Sequence, residues 1–169
     1  MGKTAILFSG GLDSTCIAKW LKPEIGYFVD YGQISAQAEH KAASVIAGVL
    51  GIHLIEVTVD LHVLGQGLLT GKSSNSLSDS PEWWPFRNQA LITLAAMRAI
   101  SDGVDGLIVG TVNSDASRHA DGKPDFVRKM DELLAMQEGA LRVSAPAIDM
   151  STAEVAQRSG ATDRLLLRT

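Results

Sequence analysis

The chain has 169 residues, 46% of them apolar and 20% charged, which is enough for one domain with a sizeable core and excludes disorder throughout. Its net charge of −4 and the lack of any basic run longer than Arg128-Lys129 exclude a large electrostatic footprint for duplex nucleic acid, while a small anion can still be held locally. The single cysteine, Cys16, excludes an intramolecular disulfide or a cysteine-rich metal site within these residues and reads as a small core residue.

Lys3 is followed by a short apolar run and then a glycine turn, which does not read as a secretory leader. No stretch reaches the roughly 18 apolar residues of a membrane span, so a cytoplasmic protein is expected. Thr4 to Phe8 is the first expected strand, and a helix from about Asp13 to Leu21 is stopped by Pro23. Ile25 to Asp30 is a second strand. Ser35 to Leu50 is a helix whose apolar stripe would be Ile34, Ala38, Ala42, Val45 and Val49, ended by Gly51. His53 to Val59 has the near-continuous apolar character of a strand covered on both faces.

From Leu61 to Pro85 the pattern breaks into glycines, a polar cluster from Ser73 to Ser80, and Trp83-Trp84. A connection of this length reads as a lid or flap; the tryptophans either clamp it onto the core or offer a stacking face to a base. Phe86 to Ser101 is the next helix, Leu107 to Gly110 the fourth strand, Pro124 to Gln137 a helix opened by proline, and Val143 to Ala145 a short fifth strand. Ser151 and Glu154 form a capping box for a last helix ending near Ser159-Gly160. This alternation predicts an α/β three-layer sandwich around a mostly parallel, Rossmann-like sheet of five strands, with residues 1–169 as a single domain.

In such a sheet ligands bind beyond the carboxyl ends of the strands. Strand one ends in Ser9-Gly10-Gly11-Leu12-Asp13-Ser14. Two consecutive glycines permit positive φ and close backbone approach, so that N–H groups at a helix start can converge on a phosphate, with hydroxyls from Ser9, Ser14 and Thr15 beside them. The loop has neither the Lys-Ser/Thr ending of a Walker A loop nor the glycine spacing of a dinucleotide fingerprint. Strand two ends in Asp30-Tyr31-Gly32-Gln33, and strand four in Gly110-Thr111-Val112-Asn113-Ser114-Asp115. Asp30 is either fixed by backbone amides or, like Asp13 and Asp115, a ligand for Mg²⁺ beside phosphates. Arg87 is either a surface side chain or a cation facing a phosphate or carboxylate.

The hexapeptide resembles the PP-loop, S-G-G-x-D-S, of the N-type ATP pyrophosphatases, which usually cleave ATP between its α and β phosphates and adenylate an oxygen. Taken with Asp30–Gln33 (D-Y-G-Q), Trp83–Asn88 (W-x-P-x-R-N), Gly110–Asp115 (G-x-x-N-x-D) and Asp121–Phe126 (D-x-x-P-D-F), the chain resembles the QueC family of 7-cyano-7-deazaguanine synthases over nearly its whole length. The resemblance implies a PP-loop ATP-binding domain with the adenine nucleotide alpha-hydrolase-like fold. It further implies a ligase that activates the carboxylate of 7-carboxy-7-deazaguanine with ATP and Mg²⁺, admits ammonia to form an amide, and dehydrates it to a nitrile. Phe8, Ser9, Gly10, Gly11, Leu12, Asp13, Ser14 and Thr15 would then surround ATP, with Asp30, Tyr31, Gly32, Gln33 and Gly110 completing its site. Arg87, Asn88, Asn113, Asp115, Asp121 and Asp125 would face the substrate. Asp121 or Asp125 is suited to accept from the N–H groups of a guanine-like edge. Ser9, Asp13, Ser14 and Arg87 would carry the chemistry, with Asp13 and Asp115 on Mg²⁺.

Members of the family normally continue into a four-cysteine Zn²⁺ site, and the present residues end at Leu165-Leu166-Leu167-Arg168-Thr169 without one; Zn²⁺ is expected only with a native cysteine segment beyond them. His40, His53, His62 and His119 have no ligand spacing. An exposed leucine run at this end, with the resemblance, implies a homodimer. Between Asp115 and Pro124 the family has a Ser-Gly-Tyr-Pro-Asp-Cys-Arg-like stretch, where this chain has Ser117-Arg118-His119-Ala120-Asp121-Gly122-Lys123. A changed amine is one consequence, such as a protein amino group joined to the deazaguanine in an antiphage system; a non-catalytic ATP-binding sensor is the reading from another class.

Overall fold

The computed structural model describes residues 2–72 and 81–169; the polar cluster Ser73–Ser80 lies outside them. Five parallel strands, β1 (Thr4–Leu7), β2 (Ile25–Asp30), β3 (His53–Thr58), β4 (Gly106–Ile108) and β5 (Arg142–Ser144), form one sheet in the order β3-β2-β1-β4-β5. The order reverses direction between β1 and β4, where a crevice opens at the carboxyl ends.

Alternation along the short strands divides the core in two. Ile6, Phe8, Phe28 and Ile108 pack one face against α1 (Leu12–Leu21), α2 (Ala36–Leu50) and α6 (Thr152–Ser159). Ala5, Tyr27, Leu107 and Val143 pack the other against α3 (Arg87–Ser101) and α5 (Pro124–Ala135). The three-layer α/β arrangement is therefore as the sequence pattern predicts. Cys16 is fully buried on α1. The capping box at α6 forms, with Ser151 N–H donating to Glu154 Oε2 at 2.7 Å and Glu154 N–H to Ser151 Oγ at 3.3 Å.

Four expectations are corrected. The stripe of α2 is rotated: Ala36, Ala43, Ile46 and Ala47 face the sheet, while Ile34 and Val49 are 68% and 57% exposed. The small side chains win because α2 must approach the loop after β1 closely; a Cβ on Gly10 would stand 2.6 Å from Ala43 N. Strand β3 is not covered on both faces; it is the sheet edge and is only half-buried. A short helix α4 (Asn113–Arg118) and a 3-10 turn (Ala120–Gly122) occupy a stretch in which no helix was expected. Finally, the terminal leucines are not an exposed run, since Leu165 is buried in the core, Leu166 packs against it, and only Leu167 is open, at 86%. A four-residue helix, α7 (Asp163–Leu166), makes that packing possible. No helix among the described residues is long and apolar enough to cross a membrane.

Candidate active site

At the end of β1 the chain turns through Gly10 at φ +76°, a conformation that side chains with a Cβ avoid, and enters α1 through Gly11. No side chain caps the helix at Gly11, so the first-turn N–H groups are left for an anion, with the positive end of the helix dipole behind them. Ser9 and Ser14 hold the loop from within. Gly11 N–H donates to Ser9 Oγ at 3.2 Å, Ser14 Oγ donates to Gly11 O at 3.0 Å, and the two hydroxyls share a hydrogen bond of 3.3 Å.

The loop forms the centre of a crevice of about 410 Å³. On the β4 side stand Gly110, Thr111, Asp115, His119, Asp121 and Gly122. Gly110 lies against the start of α1, where an added Cβ would come 3.4 Å from Ser14 Cα. Asp115 Oδ2 accepts from Val112 N–H at 3.0 Å, which fixes its carboxylate at the start of α4. Asp13 Oδ1 is buried with no hydrogen-bond partner. Burial pushes the Asp13 carboxyl up; a hydrogen bond from the Thr152 side chain opposes this, and the charge of Asp115 adds to it. An orphaned carboxylate oxygen beside a second carboxylate, at the foot of a phosphate loop, fits Mg²⁺, which takes one or two carboxylates and completes its shell with phosphate and water. Zn²⁺ has no such fit here. The only cysteine is the buried Cys16, and no three His, Cys, Asp or Glu side chains among the described residues come together for a metal.

On the β2 side the crevice is lined by Tyr27, Phe28 and Val29 of the strand, by Tyr31, Gln33 and Glu39 beyond it, and by Leu69. Tyr31 and Trp84 are buried and meet edge to face, with ring centroids 4.9 Å apart and planes at 75°. Trp84 therefore clamps the connection onto the core, the first of its two readings. Burial raises the Tyr31 phenol, opposed by the charge of Arg87. Arg87 and Asn88 enter the crevice from the first turn of α3. Phe86, just before them, takes φ +56° and is 78% exposed.

Of the residues expected from sequence, Phe8, Ser9, Gly11, Leu12, Asp13, Ser14, Tyr31, Gln33, Arg87, Asn88, Gly110, Asp115 and Asp121 line this one crevice. Six do not. Gly10 packs behind the loop on Ala43, and Thr15 is fully buried in α1. Asp30 turns to its own backbone, accepting from Gly32 N–H at 3.0 Å, and Gly32 serves that turn at φ +89°. Asn113 is exposed, its N–H donating to Met150 O at 3.0 Å. Asp125 points to solvent, 77% exposed and paired with Arg128 at 3.3 Å. Between the two candidates for a guanine-like edge, Asp121 is the one in the crevice. The sequence reading missed Glu39 and His119; Glu39 carried a signal, being six residues after Gln33 in the first turn of an expected helix.

The parallel α/β sheet with this loop at its reversal point defines a PP-loop nucleotide-binding protein. A solved structure with the same fold is the U34-tRNA thiolase NcsA from Methanococcus maripaludis with its [4Fe-4S] cluster. Its TM-score is 0.60 at 16% identity, over 92% of this chain, which spans 55% of that structure's length. The family model described as "Queuosine biosynthesis protein QueC" matches residues 3–168, and the chain belongs to the QueC family. It is similar to the 7-cyano-7-deazaguanine synthases of Campylobacter curvus, at 30% identity over 94% of this chain and 78% of that one, and of Pyrococcus furiosus, at 29% over 92% and 74%. Membership makes the chain an enzyme of the carbon–nitrogen ligase class, in a superfamily that uses ATP.

Proposed function

We propose that this chain converts 7-carboxy-7-deazaguanine, ATP and ammonia to 7-cyano-7-deazaguanine through an adenylated carboxylate and an amide. The observation that carries the reading is the meeting, in one crevice, of a phosphate-type loop with an orphaned Asp13 oxygen, Asp115 and Asp121 on one side and Arg87 on the other.

A carboxylate resists attack by nitrogen until one of its oxygens becomes a leaving group. The substrate oxygen attacks the α-phosphorus and pyrophosphate departs; ammonia then attacks the acyl carbon, and AMP leaves with the electron pair of the broken C–O bond. Forming the nitrile takes a second ATP: the amide oxygen attacks its α-phosphorus and releases pyrophosphate, and AMP then leaves with that oxygen as the nitrogen gives up both its protons. The loop N–H groups, Ser9 and Ser14 would hold the phosphates and the charge that develops on the departing pyrophosphate. Asp13 and Asp115 would hold Mg²⁺, which when bound supplies charge neutralisation at the phosphates. Arg87, a fixed fork of donors, would orient the substrate carboxylate against the nucleotide, and Asp121 would accept from the N–H groups of the deazaguanine edge. No side-chain nucleophile is needed, consistent with a buried Cys16 whose thiol is pushed up chiefly by burial.

The test is incubation with Mg²⁺, α-labelled ATP and 7-carboxy-7-deazaguanine in the absence of ammonia. A substrate-dependent adenylate and pyrophosphate are expected, with amide and nitrile following once ammonium is added. ATP binding without pyrophosphate release under these conditions would refute the substrate assignment.

A further inference from the structure

We propose that Tyr31 is a positioning residue for Arg87, its buried phenol oxygen accepting from the guanidinium so that the cation keeps both its direction and its charge for the substrate carboxylate. The inference rests on Arg87 being the residue that meets that carboxylate. Among the described residues that line the crevice, Arg87 is the one with a permanent positive charge, and Asp13, Glu39, Asp115 and Asp121 share the space with it. Its backbone is anchored by Trp84, whose carbonyl oxygen accepts from Arg87 N–H at 3.2 Å. The ring of the same Trp84 meets Tyr31 edge to face, and Tyr31 is only 7% exposed. One residue therefore fixes both the start of the arginine and the ring of the tyrosine. The two side chains act on each other: burial raises the Tyr31 phenol, the charge of Arg87 and a hydrogen bond from it oppose that rise, and the charge of Glu39 adds to it.

The chemistry of the acceptor matters. A carboxylate in this place would neutralise Arg87 and compete with the substrate for the same fork of donors. A phenol oxygen accepts a hydrogen bond and leaves the net charge and the remaining N–H groups for the substrate. Glu39, the acid whose charge reaches Tyr31, is tied to its own turn: Ser35 Oγ donates to Oε1 at 2.6 Å and Gln33 Nε2 to Oε2 at 3.0 Å. Gln33 Oε1 in turn accepts from Tyr31 N–H at 3.0 Å, so the turn that tethers the acid also seats the tyrosine. Asn88 Oδ1, accepting from Arg87 Nε at 3.4 Å, is too long a contact to fix the fork alone.

A double-mutant cycle read by steady-state kinetics with ATP, Mg²⁺, ammonium and 7-carboxy-7-deazaguanine tests this. Tyr31→Phe keeps the ring against Trp84 and removes only the oxygen. It should raise the KM for the carboxylate about 10-fold, the scale of a hydrogen bond to a charged group, with ATP affinity by calorimetry unchanged. Arg87→Lys, which loses the fork, should raise that KM at least as much, and adding Tyr31→Phe to it should change KM by no more than about twofold. A full second loss in the Arg87→Lys background would show that Tyr31 acts without Arg87 and overturns the proposal, as does a Tyr31→Phe chain with the wild-type KM. A matching loss of ATP affinity would put Tyr31 at the nucleotide and equally overturn it. A wild-type chain without turnover, or an Arg87→Lys chain with the wild-type KM, removes the reading of Arg87 and this inference together.

Discussion

The loop after β1 and the segment after β4 end on neighbouring strands and face the same crevice, yet their glycines work in different ways. In the first, Gly10 combines positive φ with a backbone-to-backbone approach to α2, so the loop's shape is locked by an element on the outer layer. In the second, Gly122 has an ordinary φ and only space is at stake: a Cβ there would stand 2.5 Å from Asp115 C and 2.6 Å from its O. The turn that carries His119 and Asp121 is packed directly onto α4, which carries Asp115. The phosphate half of the site is thus braced by the fold as a whole, and the acidic half braces itself.

Breaking the first brace should have the largest effect. Gly10→Ala adds both a strained φ, about 1–2 kcal/mol, and a contact with Ala43 backbone atoms that no rotamer can relieve, about 1–3 kcal/mol. A loss of about 3 kcal/mol in urea unfolding is expected, together with loss of ATP binding by calorimetry; a variant of wild-type stability would show that the loop is not locked on α2. Gly122→Ala carries only the packing component, about 2 kcal/mol. Its sharper consequence is local: ATP binding measured without Mg²⁺ should persist while the KM for the deazaguanine carboxylate rises at least about tenfold, because Asp115 and Asp121 shift relative to each other. Equal damage to both affinities would erase the distinction between the halves.

The difference in bracing also explains what the sequence made legible. The Ser9–Ser14 loop announces itself because glycines, hydroxyls and an acid fall within six residues between a strand and a helix. Strands β1, β2 and β5 and helices α1, α3 and α5 follow from apolar periodicity and from Pro23 and Pro124. The stripe of α2 was misread because periodicity scores large apolar residues, whereas close approach selects Ala36, Ala43 and Ala47. Helix α4 was hidden because Asn, Ser and Asp favour turns as strongly as helix starts, and its formation depends on the Asp115 cap and on packing against Gly122. Asp30 and Asp125 show that residue type alone does not place a carboxylate in a site; one bonds its own turn and the other an arginine on its own helix.

Phe86 lies where α3 enters the crevice, and nothing in its sequence position signals its left-handed backbone. With 78% of the residue exposed, little packing offsets a φ of +56°. Phe86→Gly should therefore stabilise the chain by about 1 kcal/mol, read as a higher Tm. A lower Tm would mean that the ring makes contacts worth more than its strain.

The smallest expected effect lies on the far side of the acidic half, where Asp131 of α5 pins β5. Its carboxylate pairs bidentately with Arg142, Nε donating at 2.9 Å, and accepts from Val143 N–H at 2.7 Å. These partners, the Arg142 hydrogen bond first and Val143 N–H next among those favouring the ion, hold its carboxyl below the usual carboxylate range. A pKa lower in the folded than in the unfolded chain means that the unfolded state binds the proton more tightly. The contribution is therefore complete above the unfolded value, about 3.9, and is lost as pH falls through the lower folded one. Asp131→Ala should cost about 1 kcal/mol at neutral pH, largely the lost acceptor for Val143 N–H. Its unfolding free energy should converge on that of the wild type as the pH is taken below 4. Because β5 borders β4, whose end carries Gly110 and leads into α4, the same variant should disturb the deazaguanine KM before the affinity for ATP. An equal change in both would mean that strain passes through the sheet to the phosphate loop despite its anchor on α2.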